Sequence, residues 1–355
     1  MVKKTKENPP ERVNLRMLAE HLGLSQTTIS LVLNNSPSAK SIPPETRKRV
    51  EEAAKRLNYR PNYFARSLRQ SRSMSVAVLA PDLSEGYFTR VMSGVVAELT
   101  AAHYFYFTAC HDWNKELIEK YPQMLVERAV DGFLLLNTPA DQIDVPTPVV
   151  AISAHSVADN VTNIVVDHES AVQQALSHLY ELGHRRIAFI RGPKAIPDSE
   201  VRWHAIQHVS REMSLKLDPA LVVRIDSAGW STKTGQHPMA PEIGYKPMKA
   251  LLEKTREFTA VFCFNDIAAI GAIRALKDAG LSVPGNVSVL GFDDILSAAY
   301  ATPSLTTIRQ PLTEMGKKGA QVLLERIVDR EKEFPAEIVM QPELVVREST
   351  GPVKS

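Results

Sequence analysis

From Met74 onward one pattern repeats along the chain: a short uninterrupted apolar run, then an amphipathic segment of helix length. The runs are SVAVLA, HYFYFTA, GFLLLN, PVVAIS, NIVVD, RRIAFI, ALVVRI, AVFCF and VSVLGF, and the helical patterns between them include residues 88–101, 169–182 and 267–279. Continuous apolar character marks strands buried on both faces, and their alternation with helices predicts parallel sheet covered on both sides. With LTTIRQ and the later EIVMQPELVV added, one sheet would be too large, so two smaller sheets with a cleft between them are expected. Open parallel sheets bind ligands beyond the carboxyl ends of their strands. Those ends carry Asp82, Asn137, Asp167, Asn265, Asp266, Asp293 and Asp294, a set suited to a polyhydroxyl ligand, although each residue serves equally as a turn former or helix cap.

The segment before Met74 has a different character. Residues 1–73 carry 15 Lys or Arg against 6 Asp or Glu, a formal +9, whereas residues 74–355 carry 27 against 34, a formal −7. One small region is therefore built to approach a polyanion. Within it Leu15, Leu18 and Leu22 recur at helical spacing, Gly23 stops that helix, and Ser25 can cap a second one whose inner stripe is Ile29, Val32 and Leu33. After NNSPSAKSIPP a third helix starts at Glu45, with Val50, Ala53, Ala54 and Leu57 on one face. This spacing leaves Gln26, Thr27, Ser30 and Leu31 on the outside of the second helix. Gln can present a donor and an acceptor to an adenine edge, and Thr offers a hydroxyl or a methyl. A helix N-terminus there can meet a phosphate. The arrangement is a helix-turn-helix. Further on, Pro61 marks a boundary and Asn62 can cap a short helix from Tyr63 to about Leu68, too short to be stable alone.

No apolar run approaches the ~20 residues that a membrane span requires, and MVKKTKENPPERVN has no apolar signal region behind its basic residues; a cytoplasmic location is the expectation. Cys110 and Cys263 each lie in an apolar run and are expected to be buried strand thiols, not a disulfide or metal pair. No metal-binding motif, cofactor motif or catalytic constellation stands out.

The text LRMLAEHLGLSQTTISLVLNN, then PPETRKRVEEAAKRLNYRPNYFARSLR, LYELGHRRIAFIRGP, FNDIAAIGAIRALKDAGLSVPGNVSVLGFDD and PSLTTIRQP resembles the lactose repressor and galactose repressor family of bacterial transcription regulators over nearly the whole length after residue 13. The resemblance implies an all-α helix-turn-helix DNA-binding domain ahead of an α/β, two-lobed, periplasmic-binding-protein-like core with parallel sheets. The expected boundaries are 12–60 for the headpiece and 61–73 for the hinge helix and linker. One lobe is expected from 74–165 plus 296–326, the other from 166–295 plus 327–343, with crossings near 165, 295 and 327.

By this resemblance Gln26 and Thr27 read base edges while Ser25, Thr28 and Asn34 lie against the DNA backbone. Leu31 stands where the family often has Arg, so it can touch a thymine methyl but not bridge guanine. Arg47 and Arg60 face phosphate. Asn62, Ala65, Arg66 and Leu68 match the hinge helix, where the leucine wedges into a central base step in the minor groove. In the core, Arg202 matches the family arginine that grips the effector and Asp266 the acceptor for vicinal hydroxyls. Trp230 matches an aromatic effector position, Tyr87 and Phe88 match a pair at the cleft mouth, and Asn137, Asp167 and Asp293 are further candidates. Ala205 replaces a usual glycine, and STKTGQHPMAPEIG after Trp230 is longer and richer in proline than the family pattern.

The resemblance implies a homodimer on a pseudo-palindromic operator and a small-molecule effector; with no leucine-repeat tail after PELVVRESTGPVKS, a dimer is expected over a tetramer. Without a Gly-rich phosphate loop or a basic cluster, a neutral sugar or oligosaccharide is the expected effector. A solute-binding or chemoreceptor-like protein and a saccharide-active enzyme are the alternatives.

Overall fold

The structure, a computed structural model, describes residues 13–34, 36–59, 72–83, 86–226 and 240–354. The chain divides into two compact units, residues 1–73 and 74–355.

In the first unit, helices α1 (Leu15–Leu22), α2 (Gln26–Leu33) and α3 (Pro44–Arg56) enclose Leu18, Ala19, Ile29, Val32, Val50, Ala53 and Ala54. Asn14 caps α1 by accepting from the Met17 amide at 3.0 Å. Gly23 ends α1 in the left-handed region at φ +64, which a side chain would adopt only under strain. In the link to α3, Pro37–Ser41 form a 3-10 turn with Ala39 buried.

The second unit holds two six-stranded sheets. The first contains β1 (Ser75–Ala80), β2 (Phe105–Cys110), β3 (Phe133–Leu136), β4 (Val149–Ile152), β5 (Val161–Val166) and β11 (Glu337–Met340) in the order β11-β5-β4-β3-β1-β2, all parallel. The second contains β6 (Ile187–Arg191), β7 (Val222–Arg224), β8 (Ala260–Cys263), β9 (Ser288–Asp293), β10 (Thr306–Arg309) and β12 (Glu343–Val345) in the order β12-β10-β9-β8-β6-β7. Only β12 runs antiparallel to its neighbour. The central strands are buried throughout, as their continuous apolar runs require.

Helices α4 (Gly86–Ala101) and α11 (Leu312–Val328) pack together in the first lobe. They approach closely because Gly94 and Gly316 face backbone: a Cβ on Gly94 would lie 1.9 Å from the Thr313 carbonyl oxygen. Helices α6 (His168–Glu181) and α7 (Pro197–Glu212) pair in the second lobe, as do α8 (Glu242–Lys254) and α9 (Asp266–Asp278). Helix α5 (Lys115–Val126) follows β2, and a short α10 (Leu296–Tyr300) joins β9 to β10.

Two expectations are corrected here. Strand β10 pairs with β9, so residues 296–309 belong to the second lobe and the middle crossing lies near 310 instead of 295. Strand β11 pairs with β5, so the last crossing lies between Met340 and Glu343 instead of near 327. Hydrogen-bonded pairing decides sheet membership, and the local apolar pattern of a strand does not reveal it. The expected burial of Cys110 also fails: it is exposed, while Cys263 is buried. Strand β2 is the edge of its sheet and Phe105 is 62% exposed there.

Candidate functional site

Two surfaces carry the candidate chemistry, one in each unit. In the first, Ser25 caps α2, its hydroxyl accepting from the Thr28 amide at 3.0 Å and lying 2.8 Å from the Thr28 hydroxyl. Gln26 and Thr27 follow, exposed on the first turn, with Leu31 half-buried one turn on. Ile29 and Val32 anchor the opposite face in the core. The α2 N-terminus, with amides directed along the axis and Gln26 exposed among the described residues, is therefore open to a polyanion. Ser30 does not point outward as the helical spacing suggested: it is 7% exposed and its carbonyl and hydroxyl both accept from the Asn34 amide, at 2.7 and 3.1 Å. Asn34 thus ends α2 with its side chain turned back on the helix. Arg47 is half-buried on α3, its Nε enclosed without a hydrogen-bond partner. Arg60, Asn62, Ala65, Arg66 and Leu68 lie outside the described residues, as does Trp230.

In the second unit the carboxyl ends of the strands converge, and the backbone is bent there. Asn137, Ser153, Asp293 and Asp294 all follow or end strands at positive φ, with values of 47, 55, 116 and 54. Strain of this kind persists where the surrounding structure imposes it, and it gathers at ligand sites.

Arg202 lies on α7, 3% exposed. Its guanidinium stacks 3.5 Å from the Phe292 ring centre, donates to the Phe264 carbonyl oxygen and faces Asp198 at 3.7 Å. Burial lowers its pKa, against the raising pull of Asp198 and Asp293. Its Nε is buried and has no hydrogen-bond partner among the described residues.

Asp293 is 7% exposed and accepts from the Gln310 amide at 2.7 Å. Burial pushes its carboxyl up to about 7, with Asp198 adding to the rise and Arg202 and Gln310 opposing it. Asp266, fully buried, is committed within its own lobe: one oxygen accepts from the Thr307 hydroxyl at 2.5 Å and the other from the Ile295 amide at 2.9 Å. Burial and the neighbouring Asp293 hold its carboxyl well above the usual range. Asp266 therefore ties α9 to β10 and to the start of α10 in this conformation.

From the first lobe, Tyr87 and Phe88 are buried and meet edge to face, 5.1 Å between ring centres. The Tyr87 hydroxyl donates to Ser153 at 2.7 Å, and burial, reinforced by Asp198, raises the phenol above its usual range. Asn137 is buried with its Oδ1 unpartnered. Asp167 caps α6 by accepting from the Ser170 amide at 2.9 Å, the ordinary structural use of such a residue. Tyr87, Arg202 and Asp293 are thus near enough to influence one another's charge, whereas Asp167 is occupied as a cap.

Sequence reasoning missed Asp198, His155, His168 and Ser153. Asp198 sits one helical turn before Arg202, a spacing visible in PDSEVR, and is 4% exposed. His155 follows β4 in the first lobe and reaches Asp198 at 2.7 Å, so the two lobes are joined across the cleft. Arg90 of α4 makes a second crossing by donating to the Asp294 carbonyl oxygen at 2.7 Å. Burial works to raise the Asp198 carboxyl, but the hydrogen bond from His155 and the nearness of both imidazoles outweigh it and hold the group below the usual range.

The segments of this chain match known families in the same order as its units. Residues 15–62 match the bacterial regulatory proteins of the lacI family, residues 73–205 the periplasmic binding proteins and sugar binding domain of the LacI family, and residues 176–350 a periplasmic binding protein-like domain. The HTH-type transcriptional repressor PurR of Haemophilus influenzae is 30% identical over 345 residues, covering 94% of this chain and 98% of that protein. The chain belongs to the lacI family of bacterial regulatory proteins. Among solved structures, a complex of the transcriptional regulator CelR with cellobiose shares 28% identity at a TM-score of 0.69, covering 95% of this chain and all of that one. A lac repressor dimer bound to operator and the anti-inducer ONPF is 23% identical and has a TM-score of 0.82, covering 96% of this chain and all of that one; it bears on the fold alone. In this lacI-family member no helix among the described residues is long and apolar enough to cross a membrane.

Proposed function

We propose that this lacI-family chain is a cytoplasmic, non-catalytic repressor that binds a pseudo-palindromic operator as a homodimer and is controlled by a neutral sugar or oligosaccharide in the cleft between its lobes. The observation that carries the DNA half is the exposed pair Gln26–Thr27 on the first turn of a helix capped by Ser25 and anchored by Ile29 and Val32. Base edges are read by such polar side chains at the N-terminal end of a recognition helix. Ser25, Thr28, Asn34, Arg47 and Arg60 contribute backbone contacts, and Leu31 an apolar one. Asn62, Ala65, Arg66 and Leu68 form the hinge segment that opens the minor groove.

The effector half rests on the cleft's chemistry. Arg202 offers a buried unpartnered donor and Asn137 a buried unpartnered acceptor, which suits the hydroxyls of a ligand that gives up its water on entry. Asp198, held ionised and facing Arg202 at 3.7 Å, offsets the charge of that guanidinium, which favours a neutral over a phosphorylated ligand. The cellobiose complex of a regulator 28% identical over nearly the whole chain supports a saccharide. Tyr87, Phe88 and Trp230 supply apolar faces for a pyranose. Effector and operator are then coupled reciprocally, each changing the affinity for the other by the same factor.

Selection of duplexes from a random pool by the full-length protein, with and without a panel of sugars, tests both halves. Enrichment of a two-fold-symmetric sequence whose retention changes with one sugar is expected. Failure to enrich any symmetric duplex at moderate salt refutes the operator reading, and a thermal-shift response to phosphorylated compounds alone refutes the neutral-sugar reading.

A further inference from the structure

Three ligand-type side chains meet where the lobes face each other, and the regulatory reading gives them no joint task. His155 comes from the first lobe. His168 opens α6 and Asp198 lies in the first turn of α7, both in the second lobe. One donor atom from each lies within 4.8 Å of the other two. His168 is 4% exposed, and neither of its ring nitrogens has a hydrogen-bond partner among the described residues; its Nε2 faces Asp198 Oδ1 at 3.4 Å without hydrogen-bond alignment. A buried imidazole with both nitrogens unsatisfied is costly, and a cation at the focus of the three groups would remove that cost.

We propose that His155, His168 and Asp198 form a mononuclear site for a divalent ion of the zinc type, with a fourth position left for water or a ligand oxygen. Two imidazoles and one carboxylate are the donor set of open zinc sites, whereas magnesium and calcium favour oxygen alone. Bonds of about 2.0–2.2 Å in a tetrahedral shell separate donor atoms by about 3.3 Å. The spacing of 3.4 Å between His168 and Asp198 already meets this. His155, now bonded to Asp198 at 2.7 Å, withdraws by roughly half an ångström to admit the ion. Arg202 repels a cation, but it addresses Asp198 Oδ2, leaving Oδ1 to the two histidines. Because the donors come from both lobes, the bound ion holds the cleft shut. The proposal stands independently of operator and sugar.

The full-length protein, stripped with a chelator, is titrated with zinc against a chromogenic competitor and, separately, with cobalt(II), whose visible absorption reports a low-coordinate site. One equivalent per chain is expected, with zinc affinity falling at least about tenfold in both His168→Gln and His155→Gln and the cobalt bands lost. His208→Gln, on the exposed face of α7 beside Glu169 and Glu212, should leave both signals unchanged. Circular dichroism establishes that each variant is folded; His155 is only half-buried, so its replacement decides the matter if the buried His168 variant does not fold. Zinc affinity equal in wild type and His155→Gln, or an equal loss in His208→Gln, overturns the proposal.

Discussion

Replacing Gln26 and replacing Ile29 should both weaken operator recognition, but by different physical routes, and the difference tests whether α2 is oriented as described. Gln26 is exposed, whereas Ile29 has no accessible surface. Gln26→Ala removes one base-edge contact worth about 1–3 kcal/mol, which lowers specific affinity roughly 5- to 150-fold. Binding to an unrelated duplex, which depends on phosphates, should hardly change. Ile29→Ala costs about 2–5 kcal/mol of folding free energy, comparable to the ~3–5 kcal/mol that a core of this size supplies. The headpiece then unfolds, and specific and non-specific binding fall together. Fluorescence anisotropy with the selected operator and a scrambled duplex at one salt concentration, paired with circular dichroism, separates the two outcomes. If Gln26→Ala lowers both affinities equally, or leaves the operator affinity untouched while Thr27→Ala does the same, α2 does not read bases and the argument from its exposed turn is wrong.

Other substitutions test the core and the hinge. Asp293 has a folded pKa raised to about 7, so its contribution to stability is present below its unfolded value near 4 and is lost as pH rises through 7; Asp293→Asn should therefore melt closer to wild type at pH 5 and gain on it by pH 8 in thermal melts of the full chain. Gly291→Ala would place a Cβ 2.3 Å from Asp266 Oδ1 and 2.8 Å from Leu305, costing about 1–3 kcal/mol by overpacking; an unchanged urea midpoint would contradict that geometry. Leu68→Ala should weaken specific operator binding far more than sugar binding, and equal operator affinity before and after the change, measured by anisotropy, would rule out the minor-groove wedge.

Much of this architecture is legible in the sequence because the central strands are apolar on both faces and so stand out as unbroken runs. The three headpiece helices are equally visible, since Gly23 and Ser25 punctuate them and the inner stripe of Ile29 and Val32 is regular. What local pattern does not encode is partnership. LTTIRQ reads as a strand, yet only its pairing with VSVLGF assigns it to the second lobe. Ser30 lies beside the apolar stripe and is 7% exposed, so the buried face of α2 is wider than its apolar residues mark. Arg202 stands out through its surrounding text, whereas Asp198, one turn earlier in the same helix, carries no local signal that sets it apart. His155 and Asp198 are 43 positions apart, so their meeting depends wholly on how the lobes close.

The last two strands have a consequence for how this molecule is made. Strand β11 completes the edge of one sheet and β12, two residues later, completes the edge of the other. A nascent chain that has emerged only as far as Ala336 therefore shows two raw borders at once, along β5 and along β10, each a template for stray pairing with another chain. Fewer than ten further residues cover both, so one short stretch of chain replaces two long borders with strands of four and three residues.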